Sequence, residues 1–140
     1  VALCLAAHGG PQEWNMHAID RLCSDLGLPS GNACTQDWAY ELPEEYRTLA
    51  WLDRYLQAYH AGGYPLDARK ELMTLALDVS NDLLSSGAGP ADRSIVAVLA
   101  ALSEDRHEHR DLIEYWSIEG EPLGDCFALT PEVRKIKAAT

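Results

Sequence analysis

Residues 65–85 read PLDARKELMTLALDVSNDLLS, and the spacing of their apolar positions decides the fold. Leu72, Leu75, Val79 and Leu83 recur at steps of three and four, the period of one helix face, with Met73, Leu77 and Leu84 widening the stripe. Pro65 suits the opening of a helix because its missing N–H would be unpaired there in any case. SSGAGP (85–90) supplies the break. The same stretch carries Asp67, Glu71, Asp78 and Asp82 at steps of four, seven and four, an acidic stripe predicted to lie opposite the Leu72/Leu75/Val79 face. Solvent faces of helices usually mix signs. Here only Arg69 and Lys70, near the start, offset the acids.

Working outward, the texture stays helical. Pro11 to about Leu26 reads as a helix with Gly27 just past its end. A long polar and aromatic connection, LPSGNACTQDWAYEL (28–42), follows. Pro43 is expected to open a helix running to His60 and stopping at Gly62-Gly63, with Leu49, Leu52, Leu56 and Tyr59 on its buried stripe. Beyond residue 85, Ala91 to Leu102 is nearly all apolar and reads as the central buried helix. Arg106 to Trp116 forms the next, burying Leu112, Ile113 and Trp116. Thr130-Pro131-Glu132 is a capped start leading into Arg134, Lys135 and Lys137. LCLA (3–6) and CFAL (126–129) are the two short segments that suit extended backbone. The expected fold is mainly α: one compact domain over residues 1–140, a bundle of five to six helices.

The length of 140 residues suffices for a core without staples, and 47% hydrophobic against 24% charged residues is ordinary for a globular protein. The opening VALCLAA is too short for a membrane span and lacks the basic flank of a signal peptide. Cys4, Cys23, Cys34 and Cys126 are scattered, without the spacing of a zinc knuckle or a redox motif. Reduced thiols in a cytoplasmic protein are the plain expectation; two disulfides in an exported one are the alternative.

Net charge is −11, from 22 acidic and 11 basic side chains. Such a chain repels nucleic acid and anionic membrane and attracts basic partners. Between Glu104 and Asp125 eight acids face only Arg106 and Arg110, which accounts for more than half of the imbalance.

Within that region EDRHEHRD (104–111) raises the question of a metal. On a helix His107 and His109 stand about 200° apart, so one helix cannot aim both at one ion. The order His-Glu-His is also not the H-E-x-x-H of a zinc helix. The expectation is a solvated helix face on which Arg106 and Arg110 make local ion pairs. AAHGGP (6–11) resembles an oxyanion-donating turn, but the chain lacks a G-x-S-x-G nucleophile elbow, a phosphate-cradling loop and a dinucleotide fingerprint. No cofactor is implied.

Seven of eleven aromatic residues fall between positions 38 and 64: Trp38, Tyr40, Tyr46, Trp51, Tyr55, Tyr59 and Tyr64. Trp51, Tyr55 and Tyr59, four apart, form a ridge beside the Leu49/Leu52/Leu56 stripe, and Trp and Tyr are frequent interface anchors.

These patterns favour an acidic protein-binding domain that docks on, and inhibits, a basic partner such as a nucleic-acid-acting toxin or enzyme. Asp67, Glu71, Asp78, Asp82, Glu108, Asp111 and Glu114 would steer the encounter, with Trp51 and Tyr55 as anchors. In size, acidity and lack of catalytic motifs the chain resembles, in type, bacterial immunity proteins and phage-borne inhibitors of nucleic-acid enzymes. One alternative is a small helical metal-dependent or hydrolytic enzyme using His107, His109 or His60 with nearby carboxylates. The other is a self-associating structural subunit or homodimer burying the aromatic ridge against its own copy.

Overall fold

The computed structural model describes residues 11–29 and 38–139. LCLA, most of AAHGGP, Cys4, Cys34 and the middle of the 28–42 connection lie outside the described residues. The fold is mainly α, with no strand among the described residues. Its helices are α1 (Pro11–Leu26), α2 (Trp38–Glu41), α3 (Leu49–Ala61), α4 (Leu66–Ser85), α5 (Arg93–Glu104), α6 (Arg110–Ser117) and α7 (Thr130–Ala138). Short 3-10 turns at Glu44–Tyr46 and Leu123–Asp125 join them.

Helix α4 is the axis of the bundle. Helices α1, α2, α3 and α5 all pack on it, while α6 and α7 pair with each other and α7 reaches α5. Its middle is therefore buried almost all round: Leu72, Met73, Leu75, Ala76, Leu77 and Val79 are in the core, and so are the polar Asp78 and Ser80. Ser80 satisfies its hydroxyl on the Ala76 carbonyl at 2.8 Å. The apolar stretch 91–102, expected to be central, is instead one-sided. Ile95, Val98, Ala101 and Leu102 are buried, whereas Val96 is exposed. Its alanines and valines are small enough to pack flat against α4 and α3 without being enclosed.

Local chemistry sets most helix ends. Gly27, at φ +73°, takes the left-handed position after α1, and Leu28 N–H then reaches the Cys23 carbonyl at 2.9 Å. Pro43 opens only the 3-10 turn. The helix proper begins six residues later, where the Thr48 hydroxyl accepts from Trp51 N–H at 3.2 Å. Asp92 caps α5 by accepting from Ser94 N–H at 2.9 Å.

Three expectations near the C-terminus change. The helix expected from Arg106 begins at Arg110, because residues 105–109 form a corner between α5 and α6. CFAL is not extended: it turns, with Thr130 N–H on the Phe127 carbonyl, and buries Leu129, whose N–H is held by Asn81 of α4 at 3.1 Å. A lone strand there would leave that backbone without a partner. Thr130 does begin α7, but its hydroxyl is buried without a partner rather than capping the helix.

Candidate functional site

Two of the four acids on α4, Glu71 and Asp78, are covered by the chain in front of it. Arg47, between the 3-10 turn and α3, lays its guanidinium across α4. It donates to Asp78, to Asp82 at 2.7 Å and to the Ala39 carbonyl. Arg47 and Asp78 side chains are each 7% exposed, so Asp78 is a core ion pair and unavailable to a partner. Glu71 accepts from the Trp38 indole N–H at 2.9 Å, and burial raises its pKa although that donor pulls the other way. Asp67 sits in the first turn and accepts from Ala68 N–H. Asp82 keeps an exposed edge. The four acids share a helix, as the spacing predicts, but they do not form an open docking strip.

The aromatic ridge divides. Tyr55 and Tyr59 are core residues, and the Tyr55 hydroxyl is satisfied on the Tyr46 carbonyl at 2.7 Å. Tyr55 is thus no interface anchor. Trp51 is half-buried, packed edge-on against Tyr46 with the Arg54 guanidinium over its ring at 4.0 Å.

EDRHEHRD is not one helix face: residues 105–109 form a corner built around a buried imidazole. His109 is fully buried, with Nε2 2.8 Å from the Tyr59 hydroxyl. That hydroxyl donates to Asp105 at 2.6 Å and accepts from Arg69 at 3.1 Å. The remaining lone pair must accept, so the network assigns the His109 proton to Nε2 and leaves Nδ1 bare. Nδ1 has no partner. Arg69 lies over the Tyr59 ring and also binds Asp105 at 2.8 Å and Glu108 at 3.2 Å. Burial lowers the His109 pKa, against the pull of Glu108 and Asp105, so the ring is a neutral bolt joining α3, α4 and the α5–α6 corner. Burial also raises the Tyr59 pKa.

The remaining predicted residues are dispersed. Asp111 pairs with Lys70 at 3.1 Å and Glu114 with Lys137 at 3.0 Å, both near the surface. His107 is exposed beside Arg110, and His60 is exposed against Tyr59, so the three histidines do not converge. Among the described residues no group of three His, Cys, Asp or Glu side chains is arranged to hold a metal. Cys23 and Cys126 are free thiols, and burial pushes Cys23 up to about 11, which makes it a poor nucleophile.

The surface that stands out spans the end of α6 and the loop that follows it. Tyr115 is 52% and Phe127 37% exposed, and their rings stack at 5.9 Å on a base formed by buried Trp116. Leu123, also exposed, is on the turn between them. The same loop carries Glu119, Glu121 and Asp125, all exposed. Arg134 of α7 holds this loop from beneath, donating to the carbonyls of Ser117 at 2.7 Å and Glu121 at 2.8 Å and to that of Ile118. None of these aromatics was singled out as an anchor by sequence pattern. The available signal was Tyr115, which lies about 200° round the helix from buried Ile113 and so must face outward.

No family model, no curated protein and no solved structure matches the chain.

Proposed function

We propose that the protein is an acidic binding domain that docks on a basic protein partner through the end of α6 and the α6–α7 loop, with Tyr115 and Phe127 as anchors and Glu119, Glu121 and Asp125 as the charged surround. The single observation behind this reading is the exposed Tyr115–Phe127 stack on a rigid base, within the most acidic part of a chain of net charge −11. Exposed aromatics on preorganised backbone carry a large share of binding energy, and surrounding charge sets partner choice and encounter rate.

The basic charge complementary to this face is what an enzyme acting on nucleic acid presents in its substrate cleft. Occupying that cleft would make the protein an inhibitor, of the immunity type. A second copy is a poorer occupant, because a two-fold contact would set Glu119, Glu121 and Asp125 against themselves. A cytoplasmic site of action is part of the proposal, supported by the free Cys23 and Cys126 thiols and by the fact that no described helix is long and apolar enough to cross a membrane.

The test is affinity capture from host extract with wild-type protein and a Tyr115→Ala/Phe127→Ala variant side by side. A basic protein held by the wild type, lost from the variant and released by moderate salt supports the reading. Equal retention by both contradicts it.

A further inference from the structure

The molecule also holds a cleft of opposite character. Arg106, His107, Arg110, Ile113, Glu114 and Lys137 line a space of about 330 Å³, within the size range of small-molecule sites. Three permanent cations meet here in a chain with twice as many acids as bases.

Their partners make the concentration informative. Local ion pairs were expected of Arg106 and Arg110, but neither has one among the described residues. Arg106 donates only to the Ser103 carbonyl at 3.0 Å, and its Nε–H is buried without an acceptor. The Arg110 side chain makes its one polar contact among the described residues with the His107 ring, at 3.4 Å. The one acid in the lining, Glu114, is already bound by Lys137, which also pairs with Glu119 outside it, so the two arginines are the cations left for a ligand. Buried Ile113 and the hydrocarbon stems of the arginines supply apolar wall between the charged heads.

We infer that this cleft binds a small organic oxyanion: one phosphate ester or carboxylate group held by Arg106 and Arg110, with an apolar body against Ile113. Guanidinium forks match the oxygens of such groups two at a time. A nucleic-acid polymer is the wrong ligand, because the surrounding negative field repels an extended polyanion while a single compact anion meets only the local cations. The arginines that would hold the anion are not part of the docking face; the two sites adjoin through Lys137, which also pairs with Glu119 at 3.6 Å.

The experiment is calorimetric titration of the full chain with phenyl phosphate, with phenol and inorganic phosphate as controls, repeated on Arg110→Gln and Arg106→Gln with folding verified by circular dichroism. Saturable one-to-one binding of phenyl phosphate is expected, tighter than either control and weakened about tenfold or more in each variant. Exposed Arg110 has no structural partner beyond His107, so its variant keeps the test valid if Arg106→Gln fails to fold. Absence of saturable binding, equal binding of phenol, equal binding of inorganic phosphate, or an unchanged affinity in Arg110→Gln would each overturn the inference.

Discussion

The Arg47 guanidinium and the Asp78 carboxylate form an ion pair in which both side chains are 7% exposed, although 31 residues separate them in the chain. That pair fastens the segment before α3 onto the central helix and removes Asp78 from any partner's reach. Its strength lies less in net attraction than in what either charge would cost alone.

Replacing Arg47 by Ala should therefore destabilise the protein by about 3–5 kcal/mol, since Asp78 is left buried without a counter-charge. Urea unfolding of the variant measures this. A loss below about 1 kcal/mol would mean that water reaches Asp78 and that the segment is loosely held.

The Tyr59–His109 contact predicts a pH response with a definite sign. Burial holds the His109 pKa below its ordinary value; Asp105 and Glu108 oppose that shift, while Lys70 and Arg69 reinforce it. In the window between the lowered folded value and the unfolded value of about 6.5, the unfolded chain binds a proton that the folded protein refuses. This contribution to stability is intact above that window and declines as pH falls through about 6.5. Unfolding of wild type and His109→Gln at neutral and mildly acidic pH isolates it, because the variant lacks the titrating ring. An identical pH dependence in both proteins would contradict the assignment. Separately, Tyr59→Phe strands the His109 Nε2–H and should cost about 1–3 kcal/mol.

Ile118 ends α6 in the left-handed region, at φ 41° and ψ 60°, a conformation that a β-branched residue adopts only at a cost. Arg134 binds its carbonyl and those of Ser117 and Glu121, which holds the turn in place. Ile118→Gly should raise stability by about 1 kcal/mol, and Arg134→Ala should lower it and loosen the Tyr115–Phe127 loop. Thermal unfolding distinguishes the two: a destabilised Ile118→Gly would show that the side chain's packing outweighs its backbone strain.

How far the sequence could be read depends on how local each feature is. Helix α4 was legible because its period, Pro65 and the following glycine turn all lie within its own residues. The covering of its acids was not, because the covering groups, Arg47 and Trp38, lie 31 and 33 residues from the carboxylates they bind. The corner at 105–109 has no Gly or Pro to announce it. The helical pattern yields there to tertiary partners, Tyr59 and Arg69, which draw Asp105 and His109 inward. Periodicity likewise marked Tyr55 and Tyr59 as a second ridge beside the Leu52 stripe. Only the enclosure of α3 between α4 and α5 puts Leu52, Tyr55 and Tyr59 in the core, while Leu49, Trp51 and Leu56 stay partly exposed. For Tyr115 the pattern was sufficient, since fixing Ile113 and Trp116 inward turns it toward solvent.

On the proposed reading the Tyr115–Phe127 face, and not the α4 stripe, meets the basic partner. The most direct measurement is the affinity for the captured partner, at low and moderate salt, of wild type, Tyr115→Ala, Glu121→Lys and an Asp67→Asn control. Tyr115→Ala should lose about 2 kcal/mol or more, Glu121→Lys should weaken the salt dependence, and Asp67→Asn should change nothing. Full affinity in Tyr115→Ala together with a loss in Asp67→Asn would contradict this reading and return the interface to α4.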